Sequence, residues 1–148
     1  MITEGSITIA ADASTVWDVF VDVERWAEWT ASIEQIVPLD GPEIEVGKRF
    51  EIKQPRMPKL VWEVTEVDHG VSWTWRQKSP GGTTLATHEV TSVDVDHTIV
   101  RQTIHQRGPI GVVVGVFTRR LTRRYLDLEA QGLKARSEQT SRRNAATT

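Results

Sequence analysis

The chain has 148 residues, of which 39% are hydrophobic and 26% charged, with a formal net charge of −2. This profile is typical of one soluble globular domain, and the absence of cysteine excludes disulfide scaffolds, thiolate metal sites and cysteine nucleophiles. No basic segment followed by an apolar one opens the chain, and no apolar run is long enough to span a bilayer, so we expect a cytoplasmic protein without stable membrane insertion.

The N-terminal segment predicts one strand and two short helices. Apolar and polar residues alternate over residues 5–10, which is the period of a strand. Asp12 is a favoured N-cap, and apolar residues then recur at helical spacing, so we expect a helix over about 13–21. A second short helical segment follows over 23–29.

After residue 29 the apolar period changes to two, which predicts consecutive strands. The expected strands are 33–39, 49–54, 60–67, 71–78, 84–95 and 98–107. Short segments rich in Gly, Pro and Asp separate them, as in hairpins, and such strands pair antiparallel. Gly108 and Pro109 end the sheet, and apolar residues at three- and four-residue steps predict a long helix to about Arg136.

This element order predicts an α+β protein with a helix-grip fold. A curved seven-stranded antiparallel sheet would wrap around the long C-terminal helix, with two short helices after the first strand. A strongly curved sheet cannot contact one helix along its whole length, so we expect a cavity between them. Residues 1–136 would form a single START-like domain, and residues 137–148 a polar, disordered tail.

Six segments of the chain are similar to those of one superfamily. They are Val23-Glu-Arg-Trp-Ala-Glu-Trp, Trp62-Glu-Val, Ser72-Trp-Thr-Trp, His88-Glu-Val, Gly108-Pro and Arg123-Arg-Tyr-Leu-Asp-Leu-Glu-Ala-Gln-Gly-Leu-Lys. On these segments, residues 3–136 resemble the START-like (SRPBCC) superfamily, in its polyketide cyclase/dehydrase branch. The resemblance implies binding of a small apolar molecule, aromatic, polyketide-like or lipidic, in the cavity. Some members are cyclases or dehydratases, but the family has no universal catalytic residue.

Strand parity predicts which side chains face this cavity. On strand 98–107 the face bearing Gln102, Ile104 and Gln106 is less charged than the other, so it should point inward. The resulting candidate ligand-binding residues are Trp29, Gln54, Trp62, Trp73, Trp75, His88, Gln102, Ile104, Gln106 and Phe117. A buried amide without a partner costs about 1–3 kcal/mol. The inward glutamines therefore either bond to one another and to the helix backbone, or serve as polar anchors for a ligand.

The tryptophans allow two interpretations as well. Trp73 and Trp75 lie two apart on one strand face, so their rings either fill core volume or form a flat wall for a ligand. Trp29 lies where the short helices would meet the mouth of the cavity. The resemblance favours an inward position for Trp62.

His88 is the candidate catalytic residue of an alternative function, a polyketide cyclase/aromatase or dehydratase acting in the same cavity. Gln102 or Gln54 would orient a carbonyl of the substrate. No carboxylate is expected on the face of His88, because Glu89 points the other way, and this counts against an acid–base pair. The four histidines lack ligand spacing, and no phosphate loop or hydrolase motif is present, so we expect no metal and no other cofactor.

The long helix carries most of the positive charge. Residues 119–148 contain 8 basic and 3 acidic residues, whereas residues 1–118 contain 10 and 17. We expect Arg119, Arg120, Arg123 and Arg124 to form a solvated face, with Arg123 paired to Asp127. No aromatic stacking platform accompanies them, so no nucleic acid partner is expected, and the protein would be a monomer or homodimer.

Overall fold

The computed structural model describes all 148 residues, and its elements follow the predicted order. The strands are β1 (Ile2–Ile9), β2 (Gln35–Pro38), β3 (Arg49–Lys53), β4 (Leu60–Asp68), β5 (Ser72–Ser79), β6 (Gly82–Asp94) and β7 (His97–Arg107). The helices are α1 (Ala13–Val21), a 3-10 helix (Val23–Glu28) and α2 (Pro109–Ala146). Each predicted strand and helix is present, which confirms the α+β fold class.

The seven strands form one antiparallel sheet in the order β1-β7-β6-β5-β4-β3-β2. Strands β2 to β7 follow one another as a meander, and β1 closes the sheet by pairing with β7. The sheet is curved, and α2 runs against its concave face. This is the helix-grip arrangement that the element order predicts.

The predicted N-cap of α1 is confirmed. The Asp12 Oδ2 atom accepts a hydrogen bond from the backbone N of Thr15 at 3.2 Å, and Thr15 Oγ1 donates to Oδ1 at 2.6 Å. These bonds satisfy a backbone donor that the helix itself leaves unpaired. They also hold the pKa of the Asp12 carboxyl below its usual value.

The core lies between the sheet, α1 and the 3-10 helix, and it is rich in aromatic side chains. Phe20 stacks on Trp26 with ring centroids 5.7 Å apart, and Trp26 packs against Trp73 and Trp75. The inward parity predicted for β3, β6 and β7 matches the buried residues of these strands. Trp62 and Val64 of β4 are buried together, as the resemblance suggested.

The long helix differs from the prediction at its C-terminal end. We expected it to end near Arg136 before a disordered tail, but α2 continues to Ala146. Two contacts explain the extension: Ser137 is fully buried, and Glu138 accepts a hydrogen bond from the backbone N of Ala10 at 3.0 Å. Neither α2 nor the other helices combine the length and hydropathy needed to cross a membrane.

Candidate functional site

A cavity of about 290 Å³ lies between the concave face of the sheet and the first half of α2. Its walls come from β3 to β7, from the loop between β3 and β4, and from the α2 side chains between Ile110 and Glu129. Fourteen of the 29 lining residues are hydrophobic. In size it is at the lower end of small-molecule sites, which span roughly 300–1,000 Å³.

The structure brings seven of the ten candidate residues together along this cavity. They are Gln54, Trp62, Trp75, His88, Gln102, Ile104 and Gln106. Six of them come from the sheet, where a period of two decides which side of the strand a residue faces, and Gln54 directly follows the last residue of β3. Their part in binding a ligand stays a prediction.

Three candidate residues lie outside the cavity. Trp73 is completely buried behind His88, with ring centroids 3.7 Å apart, so it fills the core. Trp29 packs against Trp26 on the other side of the 3-10 helix and lines a separate shallow groove. Phe117 is 84% exposed, because the outward side of α2 carries it away from the sheet.

His88 is held as a neutral base that faces the cavity. Its Nδ1 atom lies 3.2 Å from the carbonyl oxygen of Trp73, and since a carbonyl only accepts, Nδ1 carries the hydrogen and donates. Burial lowers the pKa of His88 to about 3, so the ring is neutral at pH 7 and its Nε2 keeps a lone pair. Nε2 has no protein partner and is not enclosed: the fully enclosed unpartnered atoms are Trp73 Nε1 and Ser137 Oγ.

Glu129 of α2 also lines the cavity, although the sequence analysis did not include it among the candidate residues. Its Oε2 atom accepts a hydrogen bond from Gln102 Nε2 at 2.7 Å, and Oε1 accepts one from Ser32 Oγ at 3.0 Å. Burial raises the pKa of this carboxyl to about 7, although both hydrogen bonds act in the opposite direction. No lysine or arginine lines the cavity, so no cation compensates the ionised form.

One available signal points to Glu129. It lies three residues after Leu126 and four before Leu133, which places the three on one helix face, and all three are buried. The large apolar residues of α2 at three- and four-residue steps form a different side of the helix, which includes Ile110, Val114 and Leu121 and lines the cavity without being fully buried.

His88, Gln102 and Glu129 form one continuous group, here called the polar wall. His88 of β6 and Gln102 of β7 are directly paired across the two strands and lie on the same face of the sheet. Gln102 then reaches Glu129 across the cavity. The polar wall offers an open hydrogen-bond acceptor, His88 Nε2, and a carboxyl group that titrates near neutral pH and can therefore take up and release a proton. No group of three or more His, Asp and Glu side chains is placed to hold a metal ion.

The comparisons with known proteins agree on the architecture. A family profile described as "Polyketide cyclase / dehydrase and lipid transport" matches residues 2–138. Among solved structures, norcoclaurine synthase of Thalictrum flavum superposes with a TM-score of 0.73 at 12% identity, covering 95% of each chain. The Zhui aromatase/cyclase of Streptomyces sp. R1128 superposes with a TM-score of 0.72 at 16% sequence identity, and the alignment covers 93% of each chain.

A hypothetical protein of Helicobacter pylori gives a TM-score of 0.77 at 15% identity, covering 93% of this chain and 88% of its own. At these identities the superpositions establish the fold alone. No curated protein sequence matches the chain.

Proposed function

The chain belongs to the polyketide cyclase, dehydrase and lipid transport family, and from that premise we propose that it binds a small apolar molecule of aromatic, polyketide-like or lipidic class. The observation that carries this proposal is the cavity itself. Apolar walls with a few convergent polar groups are the usual construction of a small-molecule site. In this proposal the protein acts in the cytoplasm as a monomer or homodimer, without nucleic acid.

The character of the walls supports an apolar occupant. Trp62 and Trp75 offer indole surfaces from the sheet, and Leu121 faces them from α2. Removing apolar surface from water contributes about 25 cal/mol per Å², so a flat hydrophobic molecule gains affinity here without any charge of its own. A charged ligand finds no cation among the lining residues to pair with.

Filling the cavity tests the proposal. Ala86 lines it and is 3% exposed, so Ala86→Leu places three extra carbon atoms in the binding volume. We expect 1-naphthol, anthraquinone or oleyl alcohol to shift the tryptophan emission of the native protein, and Ala86→Leu to weaken that binding at least tenfold. Ala135→Leu, the same change on the exposed side of α2, is the matched control and keeps native affinity.

Two outcomes would contradict the proposal. One is the absence of any emission change and of any binding heat with all three probes. The other is native affinity in an Ala86→Leu protein whose circular dichroism and melting temperature show that it is folded.

The polar wall favours a second candidate function, a cyclase/aromatase or dehydratase. Burial lowers the pKa of His88 to about 3 and makes it a weak base, so the proton carrier is Glu129, whose pKa of about 7 lets it take a proton from a substrate carbon and return it to a leaving hydroxyl. The open Nε2 of His88 accepts a hydrogen bond from the substrate and orients it. The apolar cavity would also hold a flexible substrate chain in a reactive conformation, which lowers the barrier to cyclisation.

A synthetic linear poly-β-ketone thioester is a suitable substrate for a test of this activity. We expect His88→Phe and Glu129→Gln each to lower its turnover at least a hundredfold, while Ala135→Leu leaves it unchanged. If His88→Phe and Glu129→Gln both turn the substrate over at the rate of the native protein, neither residue takes part in the mechanism.

A further inference from the structure

The polar wall has an excess of hydrogen-bond acceptors on its open side. The amide nitrogen of Gln102 is already engaged with Glu129, so its Oε1 atom is the part left for a ligand. Oε1 has no protein partner and is not among the enclosed atoms, and the same holds for His88 Nε2. Because the two residues are paired on neighbouring strands, their Cβ atoms are about 5 Å apart. Two open acceptors therefore lie side by side.

No hydrogen bond from a donor of the cavity reaches either acceptor, and two of the hydroxyl donors are engaged elsewhere. The Tyr125 hydroxyl donates to the carbonyl of Pro55, and the Thr118 hydroxyl donates to the carbonyl of Val114. The amide of Gln106 lies four residues from Gln102 along β7, which is about 13 Å. The protein therefore leaves the two acceptors without a partner of their own.

Resting on the proposed function, we propose that the polar wall binds the hydroxyl hydrogen of a neutral phenol or enol, with His88 Nε2 and Gln102 Oε1 as acceptors. A buried acceptor left without a donor costs free energy, so a ligand that supplies the donor is favoured over its methyl ether. A phenolate is disfavoured, because it has no hydrogen to donate to these two acceptors and the cavity holds no cation to pair with it.

The test compares two probes of nearly equal shape, 1-naphthol and 1-methoxynaphthalene, by isothermal titration calorimetry at pH 6. We expect the native protein to bind 1-naphthol about tenfold more tightly. In His88→Phe, which keeps a ring but removes the acceptor, we expect this preference to fall below twofold while the methyl ether still binds. The matched control is His105→Phe on the outer face of β7, which keeps the tenfold preference.

The nitrogen signals of the native protein provide a second readout that does not depend on the variant folding. We expect 1-naphthol, but not its methyl ether, to shift the ¹⁵N resonance of His88 Nε2. Equal affinity of the two probes, or a preference that persists in His88→Phe, overturns the inference and leaves the proposed function intact. If neither probe binds, this inference is overturned, and the proposed function fails as well if the other probes of that test also do not bind.

A second inference comes from the outward side of α2, independently of the cavity. Val112, Val113, Val116 and Phe117, here called the apolar tip, are 43%, 54%, 61% and 84% exposed. At about 100° per residue they share the side of the helix that points away from the sheet. A contiguous exposed apolar surface of this kind marks a place of contact with another apolar phase.

The next two turns of the same outward side are basic. Arg119, Arg120, Arg123 and Arg124, here called the arginine band, are all exposed. None of them has a carboxylate within 4 Å, so the expected Arg123 pair with Asp127 is not formed. The band is therefore free to bind anions.

We infer that the apolar tip and the arginine band dock on the surface of an anionic lipid bilayer. The outward side of α2 thus carries large apolar residues next to four unpaired arginines, which is the combination by which an amphipathic helix binds the headgroup region of an anionic bilayer. A two-fold contact between two copies of this chain would set apolar tip against apolar tip, which leaves the arginine band without an anionic partner, whereas an anionic bilayer supplies both the apolar phase and the anions. Ile110 and Val114 line the cavity beside the tip, so an apolar ligand would enter from the bilayer.

Sedimentation with vesicles tests the docking. We expect binding to vesicles of 70% phosphatidylcholine and 30% phosphatidylglycerol, and at least tenfold weaker binding to phosphatidylcholine alone. Phe117→Ser and the double change Arg120→Gln, Arg124→Gln should each weaken binding about tenfold. Val95→Ser is the control, because Val95 is 83% exposed on a distant turn. Absence of binding, or a dimer in solution that Phe117→Ser dissociates, overturns this inference.

Discussion

Gln102 donates a hydrogen bond to Glu129 at 2.7 Å and thereby joins the centre of β7 to α2 across the cavity. The bond holds a carboxyl group at a point where the surrounding walls are mostly apolar. Ser32, in the segment before β2, supplies a second donor to the same carboxyl group from the other side. One buried side chain therefore connects three separate parts of the chain.

The stability of the protein should show two opposed pH dependences. In the folded protein the pKa of Glu129 is about 7, above its usual 4.5. The protonated carboxyl therefore adds its full share to the free energy of unfolding below pH 4.5, and this share is lost as the pH rises to 7. The folded pKa of His88, about 3, is below its usual 6.5, so its contribution is full above pH 6.5 and is lost as the pH falls to 3. Between pH 4.5 and 6.5 the two nearly cancel.

Single variants should expose each dependence, with a slope of about 1.4 kcal/mol per pH unit. From pH 4.5 to 6.5, relative to the native protein, Glu129→Gln should gain unfolding free energy with rising pH, and His88→Phe should lose it. Urea unfolding at several pH values measures both. Parallel curves for the native protein and both variants would contradict the assigned protonation states.

Gly132→Ala should be strongly destabilising. A Cβ atom at Gly132 would overlap the backbone carbonyl oxygen of Trp29, and neither backbone can move freely. We expect a loss of about 3 kcal/mol in unfolding free energy. At Gly115 a Cβ would meet the end of the Gln106 side chain, which can rotate, so Gly115→Ala should cost less than 1 kcal/mol. Thermal denaturation of the two variants compares them, and equal losses would disprove this explanation.

The first turns of α2 should exchange their amide hydrogens faster than the rest of the helix. Gly111 and Gly115 permit close contact with β6 and β7, but the residues between them are exposed valines. From Leu126 to Ser137 the helix has four buried residues. We expect exchange at 112–117 to exceed that at 126–137, and binding of 1-naphthol to slow it. Uniform protection along α2 would show that the helix is one rigid unit.

The sheet could be predicted from the sequence because a strand repeats every two residues and its turns carry Gly, Pro and Asp. Inward positions such as Phe50, His88 and Gln102 follow directly once one face is identified. The C-terminal part of α2 could not be predicted in this way. Ser137 and Glu138 are polar, and only their tertiary contacts with the rest of the protein hold this part of the helix in place.

The candidate site was predictable where the sheet supplies it and not where the helix does. Phe117 was placed in the cavity because large apolar residues on a helix normally face the core. In the structure small residues such as Gly115 face the sheet, while Phe117 is exposed. Glu129 was missed for the related reason that a carboxylate is not expected on a buried helix face without a cation.

The hydrogen bond from Tyr125 to the carbonyl of Pro55 ties α2 to the loop between β3 and β4 along one edge of the cavity. A ligand that enters there has to separate the two elements, and the bond forms again once the ligand is inside. The bond therefore raises the barrier to entry and exit equally, so it governs residence time rather than equilibrium occupancy. Tyr125→Phe should therefore raise the association and dissociation rate constants of the ligand by the same factor and leave the dissociation constant unchanged.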